Sequence, residues 1–230
     1  EDVRDRAERA GYTVVDSPSI IATHLTEIIK RHAADILGRQ EVRSMLDTLR
    51  RDYSAVVEDV QNVLSLGEIQ KVLQSLLVEQ VSIRNLVVIL ETLADFAAVS
   101  KEPTFLVEKV RQALARQICL QYADDSHTIH VMTLDPGLEQ RIVDSRVETA
   151  GGLVPALPPD TQRAWINALM NAVRNVQQIG HMPIILCSEA ARPLVKASAR
   201  REIPDLAVLS VPEIVADVRI EALAEIRVEE

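Results

Sequence analysis

The sequence predicts an α+β protein of several subdomains: a helical middle, a small α/β subdomain after it, and a partial α/β segment before it. Residues 65–118 place apolar side chains at i, i+3, i+4 and i+7, the spacing of helices with one buried face. After Cys119, strand-like runs alternate with helix-like runs, which indicates a partly parallel sheet. The first 38 residues predict a helix end, a short strand and a second helix, and that strand needs partners elsewhere.

The first segment is predicted from the residues that begin and end its elements. Gly11 ends a charged helix, residues 12–15 form the strand, and Ser17-Pro18 starts a helix that continues to Gly38. One face of this second helix is apolar and is expected to be buried. It carries Ile21, Leu25, Ile28, Ile29, His32 and Ile36.

The helical middle is predicted to be organised around residues 81–96, with Ser82 as the N-cap. The expected buried stripe of this helix comprises Ile83, Leu86, Val87, Leu90, Leu93 and Ala94. A capping box at 65–68 starts the helix before it, and Pro103 starts the helix after it. Residues 39–53 predict an amphipathic helix, and residues 55–64 are interpreted as a connector.

The last segment predicts strands and helices in alternation. The predicted strands are 127–133, 183–187, 206–210 and 218–227. The predicted helices are 136–147, one that begins at Asp160 and ends at Gly180, and 188–201, with a Gly- and Pro-rich loop at 151–159.

Composition excludes several classes of protein. The 230 residues carry a net charge of −9, which argues against a nucleic-acid binder or a binder of anionic membranes. No apolar run approaches the roughly 18–20 residues that a membrane span needs. The two cysteines, Cys119 and Cys187, have no metal-like spacing and indicate a reduced compartment.

Catalytic patterns are weak, so neither a metal nor a cofactor is predicted. Cys187 lies at a strand end, but Pro193 stands where a cysteine phosphatase needs arginine, and a buried structural cysteine is predicted instead. An enzyme that uses Cys187 is kept as an alternative. The basic helix end at Arg192, Lys196, Arg200 and Arg201 is interpreted as a solvated face; the alternative, a nucleic-acid adaptor, predicts salt-sensitive DNA binding.

Several long segments, in order, resemble the FlhA/SctV family, the export-gate proteins of flagellar and virulence type III secretion systems. They are GYTVVD at 11–16, IATHL at 21–25, ILGRQEV at 36–42, KVLQSLLVEQVSIRNLVVILETLADF at 71–96, VRQALARQI at 110–118, LDPGLEQ at 134–140, ARPLV at 191–195 and IPDLAVLS at 203–210. ILETLADF and ARQI are more similar to the flagellar branch, and the virulence homologue is the alternative.

The resemblance implies a non-enzymatic part of an export apparatus at the cytoplasmic face of the bacterial inner membrane, anchored through a region outside this chain. Residues 1–36 would close a first α/β subdomain, 37–115 would form a helical subdomain and 116–230 the C-terminal α/β subdomain. Family members form nine-membered rings and bind export chaperone–substrate complexes and other components of the apparatus, such as the gate partner and the ATPase complex.

The resemblance also implies a docking residue. The family's docking site includes the threonine of an A-T-H-L motif, which is Thr23 here. A ring contact repeated head to tail needs two different surfaces on each subunit. Arg39, Glu41 and Arg43 facing the acidic Glu58-Asp59 of a neighbour are the predicted pair.

Overall fold

The computed structural model describes residues 6, 9–11, 14–149 and 152–228. Eight helices precede the sheet in the described part of the chain. They are α1 (Ser17–Arg31), α2 (Ala33–Ile36), α3 (Arg39–Leu49), α4 (Ser54–Val63), α5 (Leu66–Val78), α6 (Leu86–Ala97), α7 (Pro103–Ala113) and α8 (Ala115–Tyr122). None of the described helices has the length and apolarity needed to cross a bilayer.

The helical middle is confirmed, but its central helix is shorter than predicted. Helix α6 begins at Leu86, and Ser82 accepts a hydrogen bond from the backbone N–H of Arg84 at 3.4 Å instead of capping the helix. Residues 81–85 form no regular secondary structure, because the left-handed Gln80 (φ 58°) follows the end of the preceding helix and Val81 is buried. The buried face of α6 comprises Leu86, Ile89, Leu90, Thr92, Leu93 and Ala97.

The interpretation of residues 55–64 as a connector is wrong. They form α4, in which Val57 and Val60 are fully buried. These two valines are three residues apart, which places them on one face of a helix. The polar residues between them lie on the solvent-facing side of the helix. The segment therefore contributes to the core although its average hydropathy is unremarkable.

The expected burial of the first apolar helix face is also wrong. No residue of α1 is buried, and the face is exposed to solvent. The helix starts after Asp16 instead of Ser17, stops at Arg31 and resumes as α2. The predicted strand at 12–15 lies partly outside the described residues, and Val14 and Val15 are not in a strand. Gly11 has φ +84°, which fits its predicted place after a helix.

The C-terminal segment contains one four-stranded parallel sheet. Its strands are β1 (Thr128–Leu134), β4 (Ile184–Cys187), β5 (Ala207–Ser210) and β6 (Arg219–Ile226), in the order β5-β4-β1-β6. Helices α9 (Pro136–Asp144), α10 (Pro159–Gln178) and α11 (Arg192–Ala199) connect them. Register is fixed by pairs such as Met132 with Ile185 and Ile185 with Val208. The sheet prediction is thereby confirmed, and every pairing in this sheet is parallel.

The two faces of this sheet belong to different cores. One face places Ile129, Val131 and Ile184 in the same buried cluster as the helical middle. The other face joins a second cluster with Trp165, Leu169 and further residues of α9 to α11. The helical middle therefore covers one side of the sheet, and the predicted boundary at 115/116, which falls at the start of α8, stays a prediction.

Sequence analysis also missed a hairpin. Strands β2 (Arg146–Thr149) and β3 (Gly152–Pro155) pair antiparallel where the end of a helix and a loop were predicted. Gly152 has φ +108°, a conformation that favours glycine, and lies where an added Cβ would be 3.5 Å from Thr104 Oγ1. The hairpin therefore lies against the start of α7, which brings it to a groove described below.

Candidate partner-binding surfaces

Helix α1 presents an exposed apolar face. Its large side chains remain about half exposed, from 43% for Ile28 to 66% for Ile21. Thr23 lies on the same helix and is also exposed. Scattered apolar residues are normal on a surface, but a continuous helical stripe is typical of a face that another surface covers. The structure thus places Thr23 where a partner could reach it.

The predicted ring residues are all on the surface. Arg39, Glu41 and Arg43 lie on α3, and Glu58 and Asp59 lie on α4; all five are exposed. Two of them also contact their own chain. The Arg39 guanidinium lies over Gly67, where an added Cβ would be 3.1 Å from Nη2, and the Glu41 carboxylate lies over Gly38. Arg43 is the better test residue because the structure shows no such contact for it.

A groove of about 590 Å³ lies between the helical middle and the C-terminal segment. One wall is formed by α5 and the start of α7, with Lys71, Val78 and Thr104 among its residues. The opposite wall is formed by the β2–β3 hairpin and α11, which contribute Leu153 and Arg200. Its size is in the range of ligand pockets, but its lining mixes charges of both signs.

Four members of a largely buried network of charged side chains line the groove. We call it the Arg192 network: Glu79, Glu108, Arg111, Arg192, Lys196 and Glu213. Arg192, which is 1% exposed, donates from Nε to Glu108 Oε2 at 2.6 Å and from Nη2 to Glu108 Oε1. Arg192 also donates from Nη1 to Glu79 Oε2 at 2.7 Å. One guanidinium therefore joins α11 to both α5 and α7.

Arg111 extends the network to the sheet. It donates from Nη1 to Glu79 at 3.0 Å and from Nη2 to the carbonyl oxygen of Val208 at 3.2 Å. Its Nε lies 2.6 Å from Glu213 Oε1, a close ionic contact without hydrogen-bond alignment. Lys196 donates to the carbonyl oxygens of Pro204 and Leu206. The three acidic and three basic side chains balance, which is what a set of buried charges requires.

The charges of the network act on one another's protonation. Burial raises the pKa of Glu79, but Arg192 and Arg111 outweigh it and hold the pKa at about 2. Burial lowers the pKa of Arg192, but Glu79 and Glu108 raise it well above its ordinary value. Burial also raises the pKa of Glu108 and lowers that of Lys196. Glu79 and Arg192 are therefore a firmly ionised pair at neutral pH.

The interpretation of the basic helix end as a solvated face is wrong for Arg192 and Lys196, which are both buried. A signal for this was present, because these two share the i, i+3, i+4, i+7 stripe with Val195 and Ala199. Arg111 likewise lies four residues after Val107 and three before Leu114. Charged side chains within an apolar stripe indicate burial, whereas their charge alone led to the prediction of a solvent-exposed face.

The cysteines are buried, as predicted for Cys187. Cys187 Sγ lies 3.7 Å from the carbonyl oxygen of Leu209, and burial raises its pKa. Cys119 is fully buried, and burial raises its pKa too. A thiol needs a lowered pKa and access to become a reactive nucleophile, and Cys187 has neither.

His127 was predicted to begin the strand at 127–133, but it precedes β1 and has φ +57°. His130 contacts Asp124 at 3.1 Å and Glu221 at 3.3 Å. The rings of His130 and His181 have centroids 4.1 Å apart. Within the described ranges, no three His, Cys, Asp or Glu side chains cluster as metal ligands.

Comparison with known proteins identifies the family. A model of the FHIPEP family matches residues 1–219. The chain belongs to the FHIPEP family. It is 50% identical over 230 residues to the flagellar biosynthesis protein FlhA of Borreliella burgdorferi. The aligned region covers 100% of this chain and 33% of that protein. This FHIPEP chain therefore spans about a third of the length of that relative, and the predicted resemblance to flagellar export proteins is confirmed.

Solved structures of the same fold extend the comparison. The Chlamydia pneumoniae CdsV protein, solved in complex with CdsO, matches with a TM-score of 0.87 and 30% identity over 99% of this chain and 67% of that chain. The nonameric SctV-C of EPEC matches with a TM-score of 0.80 and 28% identity over 89% of this chain and 62% of that chain. These similarities confirm the predicted α+β fold class.

Proposed function

We propose that this FHIPEP chain is part of the cytoplasmic docking platform of a flagellar type III protein export apparatus, next to the inner membrane. The platform forms a ring, binds chaperone–substrate complexes and other export components, and passes the cargo to the export gate. Order among cargoes follows from differences in affinity, because a receptor discriminates partners by the difference in their binding free energies. The chain acts by binding and not by catalysis.

The observation that carries this proposal is the 50% identity, over the whole chain, to a flagellar FlhA protein. The nonameric SctV-C supports a ring of nine, because a related fold assembles in that way. The complex of CdsV with CdsO supports a second kind of partner, because a related fold binds another protein. The exposed apolar face of α1, with Thr23 on the same helix, supports docking on that side of the molecule.

A virulence type III system is the second candidate, and the structural matches to CdsV and SctV-C favour it. Their identities of 28–30% are lower than the 50% shared with the flagellar relative, which favours the flagellar apparatus. The two candidates differ in cargo. Preferential binding of a flagellar filament chaperone carrying its cargo supports the first, and preferential binding of a virulence effector chaperone supports the second.

The test of the docking role is Thr23→Asp in the complete cytoplasmic domain that contains this chain. A carboxylate on this exposed position next to apolar side chains has to be desolvated on binding, so we expect at least a tenfold rise in the Kd for chaperone–cargo complexes, measured by calorimetry. Because Thr23 is exposed, the melting temperature should change by less than about 3 °C.

Thr48→Asp is the matched control. Thr48 is an exposed threonine on α3 whose hydroxyl donates to the carbonyl oxygen of Ser44, so the same change is made on a helix surface away from α1. The control should bind chaperone–cargo complexes like the parent. Equal affinity of the parent and the Thr23→Asp protein would reject this site while leaving the family assignment intact.

A further inference from the structure

The Arg192 network contributes four side chains to the lining of the groove, and they come from three helices or their ends. Arg192 lies on α11, Glu108 lies on α7, and Glu79 directly follows α5. Arg192 makes four hydrogen bonds to these two carboxylates, which connect the two sides of the groove. Lys109 of α7 makes a second polar connection, to Glu189 before α11, but Glu189 is only partly buried, whereas Arg192 is almost fully buried. Arg192 is therefore the buried polar contact on which the separation of the groove walls depends.

Buried ion pairs contribute little net stability, because the cost of removing charges from water offsets their attraction. Replacing such a pair by apolar side chains of similar volume is often neutral, whereas removing one partner leaves an unpaired buried charge. Apolar side chains can still pack after a small shift of one helix against another. An arginine that is hydrogen-bonded to two carboxylates keeps all its bonds in only one arrangement of the helices. A charged network at this position therefore fixes the relative position of the helices more than it stabilises the fold.

We propose that the Arg192 network is a conformational lock: it fixes α11 against α5 and α7 and thereby sets the width of the groove, while adding little to the stability of the fold. The apolar cluster shared by the helical middle and the sheet supplies the stability across the same boundary. The lock concerns the geometry of this chain and is independent of the cargo or system that the chain serves.

The charge balance of the network allows a clean test. Arg192→Met alone leaves Glu108 buried without its partner. Arg192→Met combined with Glu108→Met removes one charge of each sign and leaves Arg111 and Lys196 balanced by Glu79 and Glu213, with Arg111 still bonded to Glu79. Met has a similar length and no polar atoms to leave unsatisfied.

Stability and geometry are then measured separately. The melting temperature should fall by roughly 10 °C in Arg192→Met and should return to within about 4 °C of the parent in the double variant. Groove width is measured by pulsed electron resonance between spin labels on Lys71→Cys and Arg200→Cys, two positions on opposite walls of the groove. Because Cys119 and Cys187 are buried, labelling of the parent without introduced cysteines gives the background.

We expect the distance distribution across the groove to become at least twice as broad in the double variant, although its melting temperature is restored. A second label pair at Asn62→Cys on α4 and Glu91→Cys on α6, both exposed and within the helical middle, should keep the width of the parent. An unchanged distribution across the groove in the restored double variant would overturn the lock. A double variant as unstable as the single one would overturn it too, since the network would then supply stability.

Discussion

The ionisation of Glu79 is coupled to the fold. Its carboxylate accepts from Arg192 and Arg111, which hold its pKa at about 2, below the ordinary 4.5. A carboxylate with a lowered pKa in the folded state stabilises that state above its ordinary pKa, and this contribution is lost as the pH falls through the folded value. The relevant window is therefore from about pH 4.5 down to about pH 2.

We predict that Glu79→Gln destabilises the protein at neutral pH and that the difference from the parent shrinks as the pH falls from 4.5 towards 2. The reason is that the parent loses the charge of Glu79 in this window, whereas glutamine has no charge to lose. Urea midpoints at pH 7, 4.5, 3 and 2 measure the difference. Glu91→Gln, at an exposed carboxylate on α6, is the control. A difference between the parent and Glu79→Gln that stays constant across the window would contradict the prediction.

Cys187 gives a second prediction at this scale. Its thiol is buried and its pKa is raised by burial, so the thiolate, which is the reactive form, is scarce at neutral pH. We expect iodoacetamide to alkylate the native protein at pH 7 at least a hundredfold more slowly than the same protein unfolded in guanidinium chloride, with mass spectrometry of the Cys187 peptide as the measurement. Rapid labelling of the folded protein would revive the enzyme alternative.

Helices α1 and α6 show the same apolar periodicity with opposite outcomes. Helix α6 buries Leu90 and Leu93 completely, whereas α1 leaves Ile21 66% exposed. Apolar periodicity shows that a helix has an apolar face, but it does not show which surface packs against that face. Helix α6 is covered by α4 and α7, and the described residues supply no such cover for α1.

The element-scale prediction concerns the stripe of α6. We expect Leu90→Asp to abolish the cooperative thermal transition, because it places a carboxylate without a partner in the helical core. Circular dichroism and calorimetry of the purified chain measure the loss. Glu91→Asp, one position along on the exposed side, is the matched control and should melt cooperatively. A normal transition in Leu90→Asp would show that the stripe tolerates water.

For the whole molecule, the ring proposal depends on two surfaces of opposite charge. Arg39, Glu41 and Arg43 lie on α3, and the acidic pair Glu58-Asp59 lies on α4. Exposed ion pairs contribute only about 0.2–1 kcal/mol each and weaken with salt. Such pairs can set the register of neighbouring subunits, but they cannot hold a ring together alone.

We predict that Arg43→Glu raises the dissociation constant of each subunit contact by about two- to fivefold at low salt, and that Glu58→Arg in the same chain partly restores it. Mass photometry of the complete cytoplasmic domain over a concentration series gives the ring population. Arg84→Glu, an exposed arginine before α6, is the control for a change in total charge. Assembly that is insensitive to Arg43→Glu would exclude this pair of surfaces.

Local signals in the sequence predicted much of the fold. The capping box at Ser65 and Glu68 is present, Asp135 caps α9, and the strands of the sheet begin and end within a few residues of their predicted limits. Such features depend on neighbours in the chain, and this is why they can be read from it. The β2–β3 hairpin was missed because its glycines and prolines are as typical of a loop as of short strands.

The candidate sites also differ in whether the sequence predicted them. The resemblance assigned Thr23, and the charge pattern predicted the ring residues of α3 and α4; the structure places them all on the surface. The Arg192 network was missed because its members are 84 and 113 residues apart along the chain, as for Arg192 with Glu108 and with Glu79. Whether a charged side chain is paired depends on partners that local periodicity does not show.

The sequence by itself determined most of the helices, the four strands of the parallel sheet, the caps at Ser65 and Asp135 and the family, because each of these follows from the order of neighbouring residues. Only the tertiary structure decided which apolar faces are covered and which charges are buried. Burial is a property of the surfaces that meet, so Leu90 and Ile21 differ although both lie on apolar helix faces, and Arg192 differs from Arg200 although both were assigned to one basic helix end.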